Sequence, residues 1–280
     1  MSGSRGRSLL RRAPRWAVFF ALTYLGIVVV LWLLERKLVF VPSSPAQAWL
    51  EPEDARSQDV TFLSSDGNTI SARWVPPESP RHGALLLAHG NAGNLTHRGK
   101  LAAEWRQSLG TGVLLYDYPG YGKSSGKPSE GACCAANEAA YQWLVREARI
   151  APERLIIGGE SLGGGPAVDL ATKRDHRALV LIYTFTSLPA AAKHRFPFLP
   201  VHTLMRTRFD NLSKIAKCPR PVFLVHGTAD GVIPFGHSEQ LYSAANPPKH
   251  FVRLEGVGHT ALPGNSYLPE LAKFLAEHAP

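Results

Sequence analysis

The apolar run Leu155-Ile156-Ile157 followed by Gly158-Gly159-Glu160-Ser161-Leu162-Gly163-Gly164-Gly165 constrains this chain more than any other feature. A serine at that position sits on a sharp turn between a buried strand and a helix. The turn forces unusual backbone angles, and only small neighbours leave room for it, hence glycine two positions before and two after. Such a turn lifts the hydroxyl out of the sheet and aims the amide dipoles of the next helix at whatever the serine attacks. Ser161 therefore reads as a nucleophile. Gly122-Lys123-Ser124-Ser125-Gly126 matches the same spacing. No apolar strand runs straight into it, and Pro128 follows where a helix would start, so Ser124 reads as a loop serine. The Gly-Lys-Ser inside that segment is no phosphate-binding loop, because the required glycine at 117 is Asp117.

A serine hydroxyl needs a base, usually an imidazole oriented by a buried carboxylate. On this kind of sheet the partners follow in the order serine, acid, histidine, each after a strand. The short apolar run Val222-Phe223-Leu224-Val225 precedes His226-Gly227-Thr228-Ala229-Asp230, and Phe251-Val252-Arg253-Leu254 precedes Glu255-Gly256-Val257-Gly258-His259. Asp230 and His259 are the expected acid and base. His226 and His89, each in a His-Gly pair at a strand end, read as loop supports. Asp117 lies upstream of the nucleophile, in the wrong place for the acid. Glu160 is turned away from its neighbour by the bend itself. The expected oxyanion donors are the backbone N–H of Leu162 and that of Asn91, with Ala92 the alternative, in the loop after Leu85-Leu86-Leu87-Ala88.

The segments His89-Gly90-Asn91-Ala92-Gly93-Asn94, Asp117-Tyr118-Pro119-Gly120-Tyr121-Gly122-Lys123-Ser124, Gly159-Glu160-Ser161-Leu162-Gly163-Gly164 and His226-Gly227-Thr228-Ala229-Asp230 together resemble the membrane-anchored alpha/beta hydrolases. Within these the chain is similar to the group around alpha/beta hydrolase domain-containing protein thirteen and its bacterial relatives, as are Thr184-Phe185-Thr186-Ser187-Leu188-Pro189 and Arg208-Phe209-Asp210. The resemblance runs from about Val41 to the C-terminus. It implies a Ser-Asp-His triad on Ser161, Asp230 and His259, and an esterase, thioesterase or peptidase activity.

Residues 16–34 carry no charge and are rich in Leu, Val and Phe. At 1.5 Å per residue they nearly span a hydrocarbon layer of about 30 Å, and Trp16 and Trp32 sit near the ends as interfacial aromatics do. A cleaved signal peptide has an apolar region of about 7–15 residues with a small-residue site close behind. Here the run is longer and the nearest Ala-x-Ala, Ala46-Gln47-Ala48, lies well downstream, so an uncleaved anchor is expected. Arg5, Arg7, Arg11, Arg12 and Arg15 precede the span, against Glu35, Arg36 and Lys37 after it, which places the N-terminus in the cytoplasm and the bulk of the chain outside it. Of the net charge of +9, residues 1–37 hold seven basic and one acidic side chain, leaving +3 for the remainder. Nucleic-acid binding has no support, and the basic tail is a topology signal or an anionic-lipid contact.

The resulting organisation is a basic tail (1–15), an anchor (16–34), a linker (35–57) and one alpha/beta hydrolase domain (58–280). A hairpin over 59–63 and 69–74 opens the domain. Short apolar strands then alternate with helical stretches such as 130–149, 163–173 and about 267–277, the pattern of a mostly parallel sheet covered on both faces. About 38 residues between strands, 184–221, form a small cap insert. Phe196, Phe198, Leu199 and Leu204 in it suit an apolar pocket or simple packing of the cap, and Phe185 is the candidate contact for an acyl group. The three cysteines, Cys133, Cys134 and Cys218, read as small buried residues. No His/Cys cluster has metal-ligand spacing, so no metal or cofactor is implied. Asn94 and Asn211 stand in glycosylation sequons, and a glycan on Asn94 would crowd the oxyanion loop. The expected partners are a small-molecule or lipid acyl substrate and the membrane. Acyl-ester hydrolysis ranks above thioester and then peptide hydrolysis, with a non-catalytic membrane-anchored binding module as the competing class.

Overall fold

The structure, a computed structural model, describes residues 5–52, 54–259 and 266–279, with the side chains of 5–14 and of residue 80 outside the description. The basic side chains of Arg5, Arg7, Arg11 and Arg12 therefore lie outside the described ones. Helix α1 runs Arg5–Val39, beyond both ends of the uncharged stretch. It continues past Leu34 because no helix breaker follows until Pro42.

Eight strands form one sheet: β1 Gln58–Leu63, β2 Thr69–Val75, β3 Ala84–Ala88, β4 Gly112–Tyr116, β5 Leu155–Glu160, β6 Ala178–Ile182, β7 Val222–Gly227 and β8 Lys249–Leu254. Their spatial order is β8-β7-β6-β5-β3-β4-β2-β1. β1 and β2 pair antiparallel as the expected hairpin, and β2 is antiparallel to β4. Every other neighbouring pair is parallel.

The parallel strands read as continuous apolar runs because both of their faces are covered. Leu85 pairs with Ile156 and Leu86 with Ile157, so successive side chains enter opposite layers. On one face Leu85, Leu87 and Ile156 pack with Trp105 of α2 (Gly99–Leu109) and Phe274 of α9 (Leu268–His278). On the other, Leu86 and Ile157 pack with Leu144 of α3 (Glu130–Arg146), Val168 of α4 (Gly164–Ala171) and Leu241 of α8 (Gly236–Ala244). Each such fully buried leucine or isoleucine contributes about 1.5–3 kcal/mol. Between β6 and β7 the chain forms α5 Leu188–Arg195, α6 Val201–Leu204 and α7 Leu212–Ile215.

All the loops that carry the expected site residues leave the carboxyl ends of β3, β5, β6, β7 and β8, where open parallel sheets present their ligand crevice.

Candidate active site

Ser161 follows β5 directly and has a left-handed backbone, φ +53°. That conformation costs a non-glycine residue about 1–3 kcal/mol and persists only where its surroundings enforce it. They do so here. A Cβ on Gly159 would lie 2.6 Å from the Gly163 carbonyl oxygen, and one on Gly163 would lie 1.9 Å from the Ala88 carbonyl oxygen. Thr184 Oγ1 ties down the outer side of the bend by donating to the Ser161 carbonyl at 2.8 Å.

The structure brings Ser161, Asp230 and His259 together. Ser161 Oγ is 3.1 Å from His259 Nε2, and His259 Nδ1 is 2.6 Å from Asp230 Oδ2. An ionised carboxylate can only accept, so His259 Nδ1 carries the proton and Nε2 is left to accept from the serine hydroxyl. Asp230 Oδ1 accepts from the amides of Val232 (2.8 Å) and Ile233 (2.9 Å). Burial works against the Asp230 charge. The hydrogen bonds from His226, His259 and these amides outweigh it and hold the carboxyl well below the usual carboxylate range.

His226 supports the acid rather than a general loop contact. Its Nε2 faces two acceptors, Asp230 Oδ2 at 3.1 Å and the Ile233 carbonyl at 2.9 Å, so Nε2 donates, and Nδ1 accepts from Ser238 Oγ at 2.7 Å. Because the folded Asp230 sits below its unfolded value of about 3.9, its charge stabilises the folded state above that pH. The contribution is lost as pH falls through 3.9 toward the folded value. Urea midpoints taken from about pH 5 to pH 2 are therefore expected to fall more steeply for the wild type than for Asp230→Asn. Parallel profiles would remove this source of acid lability.

The sequence profile of the alpha/beta hydrolase domain family matches residues 81–263. The chain belongs to that family. It is 36% identical over 275 residues to the protein Rv2307c of Mycobacterium tuberculosis, covering 96% of each. It is 35% identical to human alpha/beta hydrolase domain-containing protein 17B, covering 76% of this chain and 73% of the relative. Among solved structures, the Pyrococcus furiosus esterase Pf2001 superposes with a TM-score of 0.71 at 19% identity, over 86% of this chain and 100% of that one. An esterase domain from a Rhodothermus marinus protein superposes with a TM-score of 0.61 at 20% identity, over 80% and 99%.

Two further contacts around the hydrolase site, Arg98–Glu160 and Tyr183–His259, have no local signature in the sequence. Arg98 clamps Glu160 through two hydrogen bonds, Nε to Oε2 at 2.9 Å and an NH2 nitrogen to Oε1 at 3.1 Å, so the carboxylate beside Ser161 is neutralised away from it. Burial disfavours the Arg98 charge, but Glu160 raises its pKa above the ordinary value. Tyr183, its hydroxyl pushed well up by burial and then by Glu160, meets the His259 ring edge-on at 4.6 Å between centroids. The decoy Ser124 accepts from the Ser71 amide and donates to the Asp117 carbonyl, both at 2.9 Å, as a loop serine. The sequon asparagines Asn94 and Asn211 are buried, and their amide nitrogens donate to the carbonyls of Ala48 (2.7 Å) and Phe185 (2.9 Å). The folded domain thus presents neither to a glycosylating enzyme.

Ser161 and His259 open on a cavity of about 630 Å³. Asn91, Leu162 and Phe185 line it beside them, so all the expected site residues except the buried Asp230 reach one space. The cap supplies Phe196, Leu199 and Leu204. The opposite wall is α1, through Val28, Leu31, Trp32 and Glu35. Glu35 is buried and accepts from the backbone amides of Arg206 (3.0 Å) and Thr207 (2.7 Å). Arg206 in turn donates to the Trp32 carbonyl at 2.9 Å and stacks its guanidinium on the Trp32 ring. The helix is thereby fastened to the cap at the level of the site.

Proposed function

We propose that this protein is a membrane-anchored serine hydrolase that cleaves an acyl ester through an acyl-enzyme. The observation that carries the reading is the hydrogen-bonded chain Ser161–His259–Asp230 opening on an apolar cavity. Ser161 attacks the carbonyl as His259 Nε2 takes its proton. Asp230 fixes the tautomer and stabilises the imidazolium, and the proton returns to the leaving alkoxide. Water, deprotonated by the same imidazole, then releases the acid. The amides of Leu162 and Asn91 hold the tetrahedral oxyanion, each such donor being worth about 3 kcal/mol. Phe185 packs on the acyl group.

An apolar wall favours an acyl chain over a peptide. Recognition of a free amine calls for an open carboxylate, and Glu35, the acidic residue on the cavity wall, is already engaged by Arg206 and Thr207. Lipid profiling of membranes carrying wild type or Ser161→Ala is expected to reveal an acyl ester that accumulates in the variant. Faster turnover of aminoacyl substrates than of acyl esters at every chain length would replace this reading with a peptidase.

The proposal includes a retained anchor and an extracytoplasmic domain. The Glu35 clasp and the α1 wall support retention, since cleavage would strip one side from the cavity. The five arginines before the span support the orientation. Alkaline phosphatase fused to the C-terminus is expected to be active, and a fluorescent protein that folds only in the cytoplasm to be dark. The opposite pair of results would reverse the topology and leave the site chemistry unchanged.

A further inference from the structure

The face of α1 that meets the cap is regular. Val28, Leu31, Glu35 and Val39 fall on one helical stripe, three or four residues apart, with Trp32 and Leu38 flanking it, and all six line the cavity that holds Ser161 and His259. Val28 is buried at 9% exposure, whereas Ile27, Val29 and Val30 beside it are 51%, 46% and 52% exposed. Glu35 is buried as well and Leu31 and Val39 are half-buried, while Trp32 keeps 41% exposure. An anchor with only a membrane-spanning duty has no reason to cover one side in this way.

The stripe has a near end and a far end. Asn91 Nδ2 donates to the Val39 carbonyl at 3.2 Å, which puts Val39 beside the loop that flanks Ser161. Val28 lies about 16 Å further along the axis at 1.5 Å per residue, and with residues 16–34 as the span roughly 9 Å of that length lies within the hydrocarbon layer. The cap runs alongside for the same distance. Its tip reaches Tyr24, whose hydroxyl donates to the Phe198 carbonyl at 2.8 Å. There Phe198 is 88% and Phe196 47% exposed. With residues 16–34 as the span, Tyr24 lies near its middle, so these phenylalanines are level with lipid tails rather than water.

Building on the acyl-ester reading, we infer that α1 is a substrate-binding element. The acyl chain of a lipid in the leaflet beside the hydrolase domain enters between α1 and the cap and lies along the Val28–Val39 stripe with its ester at Ser161. The Glu35–Arg206 clasp sets the separation of the two walls, and Val28 sets the chain length.

The test uses full-length protein in phosphatidylcholine vesicles and alkyl fluorophosphonates of two and sixteen carbons, reading the rate at which each labels Ser161. Wild type is expected to favour the long probe. Val28→Trp fills the far end and is expected to lower the long-to-short ratio by about tenfold or more, since each methylene excluded from an apolar pocket is worth about tenfold or more. Val29→Trp, on the exposed face, is expected to leave the ratio unchanged. Leu31→Phe, a smaller obstruction, gives the same direction should Val28→Trp not fold. Phe198→Lys is expected to slow long-probe labelling from vesicles but not from detergent micelles. Equal ratios in Val28→Trp, Leu31→Phe and wild type would overturn the subsite, as would an equal fall in Val29→Trp. Unchanged vesicle labelling in Phe198→Lys would overturn access from the leaflet. Wild type that neither probe labels would instead overturn the nucleophile assignment, and this subsite with it.

Discussion

Ser161→Ala is expected to lower kcat for a short-chain p-nitrophenyl ester by roughly 10⁶-fold, and His259→Ala by about as much. The reason is that the two act as one device. Without the imidazole the hydroxyl keeps its proton, and without the hydroxyl the imidazole has nothing to activate. The double variant is therefore expected to be no slower than either single one, and a residual rate of about 10³–10⁴ over water should survive from the oxyanion donors and binding. Asp230→Asn is expected to cost less, about 10⁴-fold, because it leaves the imidazole present but holds the wrong tautomer. Steady-state rates on all four variants decide the matter. Losses that multiply in the double variant, or a Ser161→Ala enzyme within tenfold of wild type, would place the nucleophile elsewhere.

The positions of Ser161, Asp230 and His259 were legible because each belongs to a local pattern, an apolar run that ends in a glycine-bearing turn, and the chain order of such turns implies where they converge on a parallel sheet. Strand and helix limits were less so, for identifiable reasons. β5 continues through Gly158, Gly159 and Glu160, residues of poor strand propensity, because they pair in register with Leu87, Ala88 and Ile182 of the flanking strands. Tertiary pairing there overrides local preference. α3 stops at Arg146 rather than 149. Arg149 takes a left-handed φ of +56°, and the Ile150 amide turns back to the Leu144 carbonyl at 3.0 Å, a closure that usually announces itself with glycine.

What surrounds the site was hidden for two different reasons. The Arg98–Glu160 pair joins residues 62 positions apart, and no spacing rule connects the short 3-10 turn Leu95–Arg98 before α2 to the end of another strand. The α1 stripe was hidden by uniformity. A helix that is apolar on every side has no contrasting face, so the positions that meet the cap carry no periodic signal. Glu35 was the available clue: a carboxylate at the end of an apolar run, which reads as half of a near-balanced charge cluster until its partners, the amides of Arg206 and Thr207, are seen.

Gly163→Ala is expected to be the most damaging single methyl that can be added near the site. The new Cβ would lie 1.9 Å from the Ala88 carbonyl oxygen and 2.5 Å from its carbon. Neither can yield cheaply, since both belong to the end of β3, which is paired on one side with β4 and on the other with β5. Relief requires the elbow and the β3 loop to separate. That would move Leu162 and Asn91 apart and release the backbone that holds Ser161 at positive φ. A loss of at least about 3 kcal/mol is expected, the range reached by strained backbone sites and disrupted cores, with activity falling further than stability because the two proposed oxyanion donors shift together. Gly131→Ala is the matched control. It lies in α3, where an added Cβ meets nothing within 4 Å, and the same substitution is expected to stabilise by about 0.5–1 kcal/mol through helix propensity alone. Urea denaturation of the two variants, with ester turnover measured on whatever folds, separates a general cost of adding a methyl from the specific demand of the bend. A Gly163→Ala protein as stable and active as wild type would mean that the close packing of the elbow against β3 is not what fixes Ser161.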